Sequence, residues 1–302
     1  MPIARLAVVG VGPWGANLVR TILASQHMDL VAIASTKSRE EIARIGPFSG
    51  PLLADYRELA GLLEGIDGIV LATPPEHRPG QIDFFLDRGV PVFAEKPLTL
   101  RAGETLRLLA KARLLGVPLI EDFLHVYSWP YRSISSQLGS GPVDIESCGG
   151  NDGPLRTYTP LFDWGPHDLA MSLQIFRCRP QRIAAGVFNV KSRRQFCVNA
   201  ELDFGPAGTA VMSFGNAFDS KRRWFRLSDA TNEWVADLQA SKLQRNGVEV
   251  PPEANASLPL TAALESFVGH RAVLTAAESA QLSDDVAVVL SDIERQIAPH
   301  FA

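Results

Sequence analysis

The first third of the chain alternates short apolar runs with amphipathic helical stretches. Apolar runs at Leu6–Val11, Leu30–Ser35, Gly68–Ala72, Val90–Ala94 and Pro118–Glu121 flank helical patterns at Asn17–Ala24, Arg39–Ile45, Gly80–Asp87 and Glu104–Leu115. Strands such as Leu6-Ala7-Val8-Val9 and Ile69-Val70-Leu71-Ala72 are apolar at nearly every position, the pattern of strands covered on both faces. This alternation predicts a parallel sheet clothed by helices.

After about residue 122 the pattern changes to longer stretches that alternate with period two. Ala210, Met212 and Phe214 fall on one face, and Thr209, Val211 and Ser213 on the other. Strands are predicted over Arg182–Val190, Asn199–Phe204, Thr209–Asn216, Lys221–Ser228, Glu233–Leu238 and Lys242–Arg245, with Asn246-Gly247 favouring a tight hairpin. Two helical patterns close the chain. In the second, Ser283 is expected as the N-cap, Asp284 and Asp285 in the first turn, and Val286, Val289, Leu290, Ile293 and Ile297 on one face. The fold class expected is therefore an α/β domain with a parallel sheet over residues 1–121. An α+β domain with an open, predominantly antiparallel sheet follows over residues 122–302.

Composition changes this picture little. The 302 residues are 46% hydrophobic and 21% charged, within the range of globular chains and long enough for two cores. A net charge of −4 without blocks of like charge gives no field for nucleic acid or anionic membrane, and a small-molecule partner is expected instead. Arg222-Arg223-Trp224 mixes basic and aromatic residues, but its alternation reads as one sheet face. Cys148, Cys178 and Cys197 are scattered and odd in number, so reduced thiols are expected rather than a disulfide framework, and no spacing calls for a metal. With neither a signal-peptide pattern nor a run of roughly 20 apolar residues, a cytoplasmic location is expected.

The candidate chemistry begins at the end of the first strand. Gly10-Val11-Gly12-Pro13-Trp14-Gly15 is a G-x-G-x-x-G between a strand and a helix, the setting in which this motif binds a dinucleotide. Gly10 permits the turn, Gly12 the approach of a pyrophosphate and Gly15 the packing of helix on strand, while Pro13 and Trp14 complete the loop. About 20 residues on, an NAD-preferring fold carries a carboxylate for the ribose 2′-hydroxyl. This chain has Ser35-Thr36-Lys37 there, which favours NADP over NAD, although Lys37 also reads as a solvated residue opening the next helix.

Two further elements follow strands. Thr73-Pro74-Pro75-Glu76-His77 comes after the third apolar run and Glu95-Lys96-Pro97 after the next, both where ligands bind in such sheets. Lys96, between prolines and apolar runs, is a partly desolvated lysine on a fixed backbone; on spacing alone it also reads as a surface lysine. Later come Asp163-Trp164-Gly165-Pro166-His167-Asp168.

In the order and separation of these four elements the chain resembles the glucose-fructose oxidoreductase/inositol dehydrogenase/MocA (Gfo/Idh/MocA) family. The resemblance implies a Rossmann domain followed by an open-sheet domain used in homo-oligomer contacts, as a dimer or tetramer. It also implies redox chemistry on a sugar, cyclitol or related polyol with a nicotinamide cofactor. Lys96, Asp163 and His167 take the catalytic positions, and Thr73, Pro74, His77 and Glu95 lie beside the cofactor site. Two departures stand out: the chain is short for the family, and Arg156-Thr157-Tyr158-Thr159-Pro160 replaces a glycine-rich approach to the aspartate–histidine element.

Pro166 suits the first position of a helix over Pro166–Phe176. His167 is then expected in the first turn, where the helix dipole favours the neutral imidazole, and Asp168 as a carboxylate complementing that terminus. His125, near Tyr127 and Tyr131, and Trp164 are candidate substrate contacts. Alternatives are a reductase of a sugar nucleotide or of an unsaturated or imine substrate, and a dinucleotide-binding sensor without turnover.

Overall fold

The computed structural model describes residues 2–254, 256–270 and 273–301. Its contacts divide the chain into two compact units, Met1–Asp122 with Leu260–Gln281, and Phe123–Pro259 with Leu282–Ala302. Where the sequence suggests one boundary after residue 121, both units are discontinuous. The reason lies in the Leu260–Gln281 segment: the Phe267 ring lies 5.6 Å from that of Phe93 and occupies the space over Gly68, where a Cβ would lie 2.7 Å from it.

The first unit holds strands β1 (Ala4–Val9), β2 (Met28–Ala34), β3 (Leu52–Leu53), β4 (Gly68–Leu71), β5 (Val92–Glu95) and β6 (Leu119–Asp122). They form one sheet in the order β3-β2-β1-β4-β5-β6, with every neighbouring pair parallel. Helices α1 (Pro13–Leu23), α2 (Arg39–Ala43), α3 (Arg78–Leu86) and α4 (Ala102–Leu115) connect them. Leu6, Val8, Ile69, Val70 and Phe93 are completely buried, as continuously apolar strands between helical layers require. The strand order reverses direction between β1 and β4, the switch point at which such sheets bind ligands. The pattern of apolar positions did not reveal β3 or the 3-10 helix Tyr56–Gly65.

The second unit opens with a 3-10 turn at Leu124–Tyr127 and α5 (Trp129–Ser135), then continues through β7 (Val143–Gly150) to α6 (Pro160–Phe176). After these come β8 (Arg182–Ser192), β9 (Gln195–Asp203), β10 (Gly208–Gly215), β11 (Arg222–Ser228), β12 (Glu233–Asp237), β13 (Lys242–Arg245) and β14 (Val248–Val250). The eight strands run in the order β14-β13-β12-β11-β7-β10-β9-β8. All neighbours are antiparallel except β7 and β10. Asn246 and Gly247 both have positive φ and join β13 to β14 in the expected hairpin. One sheet face is covered by α6, whose Asp168 reaches Arg223 of β11 at 2.7 Å. Gly149 of β7 makes room for that pair, since a Cβ there would lie 1.8 Å from Arg223 Nη1.

α7 (Pro259–Phe267) and α8 (Ala276–Ile297) close the chain. The structure corrects Ser283 as an N-cap. The helix begins eight residues earlier, capped by Thr275, whose hydroxyl accepts from the Glu278 amide at 3.2 Å while Glu278 Oε2 accepts from the Thr275 amide at 2.8 Å. Ser283 is an interior, fully buried residue. Cys148 and Cys197 are buried, Cys178 is exposed, and all three are free thiols. Among the described residues no helix is long and apolar enough to cross a membrane, and no cluster of three or more His, Cys, Asp or Glu could hold a metal ion.

Candidate active site

In the first unit the site grows from the loop between β1 and α1. Gly10 takes φ +89° and packs so tightly on the next loop that a Cβ would stand 2.9 Å from the Thr73 amide nitrogen. At Gly15 a Cβ would lie 2.2 Å from the Gly10 carbonyl oxygen, so only glycine lets α1 approach β1 this closely. Gly12 differs: nothing lies within 4 Å of where its Cβ would be. It is the N-cap of α1 and no side chain caps the helix, so the first-turn amides face the open side of the loop. A backbone cradle with an uncapped helix end and an open face suits a pyrophosphate, and the residues present fit a dinucleotide.

Ser35, Thr36 and Lys37 follow β2, beside β1. The Ser35 hydroxyl accepts from the Lys37 amide at 3.2 Å, and Ser38 caps α2 in a capping box with Glu41. Lys37, the candidate 2′-phosphate contact, is engaged in an ion pair just before α2. Its Nζ lies 2.8 Å from Glu41 Oε1, and hydrogen bonding from Lys37 holds the Glu41 carboxyl below its usual range. No carboxylate occupies the end of β2 itself.

The loops after β4 and β5 are tied together by a residue that sequence reasoning missed. Arg78, buried at the start of α3, donates through Nε to the Thr73 carbonyl at 2.7 Å and through Nη1 to the carbonyls of Glu95 and Pro97. The Lys96-Pro97 peptide it grips is cis. Its sequence signal was slight, an arginine before the proline that opens a helix. The Thr73 hydroxyl donates to Gln81 Oε1 at 2.6 Å, Pro74 is exposed, and His77 is the exposed N-cap of α3. Lys96 is half-buried, and Trp14, 39% exposed, donates its indole N–H to Glu95. Thus Gly10–Gly15, Thr73–His77 and Glu95–Lys96 gather at the carboxyl ends of the adjacent strands β1, β4 and β5.

Glu95 itself is buried and stands opposite Asp122 in the β5–β6 register. Burial raises both carboxyls, Asp122 well above the usual carboxylate range with the Glu95 charge adding to the effect. Neighbouring Glu121 is buried too and accepts from the Leu98 amide at 3.0 Å, fixing the chain beyond the cis peptide.

In the second unit, α6 starts at Pro160, with Pro166 inside it, rather than at Pro166. Thr159 takes the N-cap position and Pro160 opens the helix, six residues before the expected start. His167 is therefore the eighth helical residue, beyond the first turn to which the dipole argument applies. Asp163 is the residue that lies in the first turn. Asp168 does not complement the terminus; it is fully buried against Arg223.

Asp163 and His167 are separated by four residues and share one helix face. Asp163 Oδ2 meets Arg156 Nε at 3.3 Å, and the His167 ring lies edge-on to that of His125 with centroids 4.9 Å apart. The structure thus brings Arg156, Asp163, His167 and His125 into one cluster of basic, acidic and imidazole groups. Trp164, also on α6, is half-buried with a buried indole nitrogen.

Residues 4–123 match a family model, Gfo/Idh/MocA, described as an oxidoreductase family with an NAD-binding Rossmann fold. Inositol 2-dehydrogenase of Rhodococcus erythropolis (strain PR4 / NBRC 100887) is 33% identical over 143 residues, 46% of this chain and 41% of that protein. The dTDP-3,4-didehydro-2,6-dideoxy-alpha-D-glucose 3-reductase of Streptomyces violaceoruber is 31% identical over 127 residues, 42% of this chain and 37% of that one. The match thus spans about two fifths of the length of these curated relatives. Over both units the chain is similar to a crystal structure assigned as an oxidoreductase from Magnetospirillum magnetotacticum MS-1. That likeness has a TM-score of 0.84 at 26% identity and covers 96% of this chain and 99% of that one. Residues 4–123 thus carry the NAD-binding Rossmann domain of the Gfo/Idh/MocA oxidoreductase family, and the chain as a whole shares the two-unit fold of the Magnetospirillum magnetotacticum protein.

Proposed function

We propose that the chain is a nicotinamide-dependent oxidoreductase. In this reading it moves hydride between its cofactor and a carbinol or carbonyl carbon of a sugar, cyclitol or related polyol, with NADP preferred to NAD. The observation that carries this reading is the backbone cradle at Gly10, Gly12 and Gly15, open over Gly12 at the switch point of the parallel sheet. When bound, the nicotinamide supplies or accepts the hydride at its C4.

The chain's own residues do the rest. The Gly12 backbone and the first-turn amides of α1 hold the pyrophosphate, with Pro13 and Trp14 shaping the loop. Ser35, Thr36 and Lys37 take the 2′-phosphate, and Thr73, Pro74, His77 and Glu95 line the site beyond the neighbouring strands. Lys96 hydrogen-bonds the reacting oxygen and stabilises the negative charge that develops on it. His167 takes the hydroxyl proton in the oxidative direction and returns it in the reductive one, with Asp163 on the same helix face orienting the imidazole. His125 and Trp164 are assigned to substrate contact.

A second reading is a sugar-nucleotide reductase, favoured by the name of the Streptomyces violaceoruber relative, and dTDP-sugars therefore belong in any substrate panel. The exposed face of the eight-stranded sheet, which carries Val211, is proposed as the contact between copies of the chain. The test is kinetic: Lys96→Ala and His167→Ala are each expected to lower kcat by about 10²–10⁴-fold with a smaller effect on cofactor affinity. Turnover near that of the parent in both variants would refute the assignment.

A further inference from the structure

Three acids, Glu95, Glu121 and Asp122, are buried together at the carboxyl ends of β5 and β6. Glu95 and Asp122 are direct partners in the parallel register, so their side chains emerge side by side on one face of the sheet. Their surroundings differ. Glu95 feels the guanidinium of Arg78 and the ammonium of Lys96, and accepts the Trp14 indole N–H. The charges around Asp122 are those of Glu95, Glu121 and Lys96, and its hydrogen-bond partner is Glu95. Neither Asp122 oxygen meets an N–H or hydroxyl donor among the described residues, and neither does Glu95 Oε1.

Two buried carboxylates that face each other without a donor repel, and each is stripped of water. A single proton between them turns the repulsion into a hydrogen bond. Charge balance points the same way. Arg78 and Lys96 bring two positive charges and Glu95 and Glu121 two negative ones, so the cluster is neutral when Asp122 carries its proton.

We infer that Glu95 and Asp122 share one proton at neutral pH, held on Asp122, and that the pair presents a single negative charge to Lys96. Asp122 donates to Glu95, leaving Glu95 ionised for Trp14 of the glycine loop, for Arg78 and for Lys96. The pair is thus a positioning device that joins the glycine loop to the lysine loop and sets the charge beside the lysine. The shared proton stands on the geometry of this cluster; only its consequence for turnover rests on the proposed role of Lys96.

Infrared spectroscopy of the full chain carrying carboxyl-13C aspartate tests the shared proton directly. The expected result at pH 7 is one protonated aspartate C=O band in the folded parent protein. It should vanish in Asp122→Asn and turn into a carboxylate band in Glu95→Gln, where the remaining acid ionises. Absence of the band in the parent, or its persistence in Asp122→Asn, would overturn the inference, and the parent measurement does not depend on any variant folding. Undiminished turnover in Lys96→Ala would instead defeat the catalytic role of Lys96 and leave the infrared result standing.

Discussion

Asp168 of α6 and Arg223 of β11 form a 2.7 Å ion pair whose side chains are 0% and 4% exposed, locking the helix that carries His167 onto the sheet. Removing one partner strands the other charge in the interior, which typically costs about 3–5 kcal/mol. Asp168→Asn is therefore expected to lower the unfolding free energy by that amount, measured by urea denaturation. Asp168→Leu/Arg223→Met, which removes both charges, should be less destabilised than either single change.

The glycine loop separates fold from binding. Gly12→Ala adds a methyl group into open space at a helix N-cap, so its stability loss should stay near 1 kcal/mol. The same methyl group intrudes on the pyrophosphate path, and the Kd for NADP should rise at least about tenfold. Gly15→Ala should instead lose about 1–3 kcal/mol of stability, because its Cβ meets the Gly10 carbonyl at 2.2 Å. Thermal denaturation with and without NADP distinguishes the two variants.

Cofactor choice should respond to a residue that the sequence reading passed over. Glu41 draws the Lys37 ammonium to 2.8 Å and adds negative charge near the proposed 2′-phosphate site. Glu41→Gln is expected to strengthen NADP binding by roughly twofold to fivefold relative to NAD, a size in keeping with a solvent-screened pair. Lys37→Ala should shift the preference the other way. Isothermal titration with both cofactors checks each expectation, and the shift should shrink at high salt.

Stability should carry the signature of the buried acid pair. The Asp122 carboxyl is raised by burial and by Glu95, so between its unfolded and folded pKa values the native state binds a proton that the unfolded chain has released. Stability from this group is fully present below the unfolded value, about 3.9, and is lost as pH rises toward the folded value. One proton gives a slope of at most about −1.4 kcal/mol per pH unit. Guanidinium denaturation of the parent between pH 5 and 8 should show a loss with rising pH that Asp122→Asn lacks.

Local pattern made the parallel unit legible. Its strands are apolar on both faces, its glycines stand at a strand end, and its helices follow at regular intervals. The second unit was harder. β7 was passed over because Val143, Ile145 and Ser147 alternate with Asp144 and Glu146 before ending in Cys148-Gly149-Gly150, a run poor in β-branched residues. That strand is nevertheless the parallel partner of β10 near the centre of the sheet.

The candidate site shows the same contrast. Gly10–Gly15, Glu95-Lys96 and the Asp163/His167 spacing could be picked out as motifs. Arg78, the Glu95/Asp122 pair and the Asp168–Arg223 bridge depend on residues brought together from 17 to 55 positions apart, which no local window contains.

The central claim is hydride transfer, and deuterium tracing measures it most directly. The purified chain is incubated with NADP and with carbinol-deuterated inositols, sugars and dTDP-sugars, and the reduced cofactor is examined by proton NMR. Deuterium from the carbinol carbon of at least one substrate is expected at nicotinamide C4, with the transfer abolished in Lys96→Ala. A protein that binds NADP but yields no deuterated cofactor with any of these substrates, and oxidises no NADPH with their carbonyl forms, would contradict the claim.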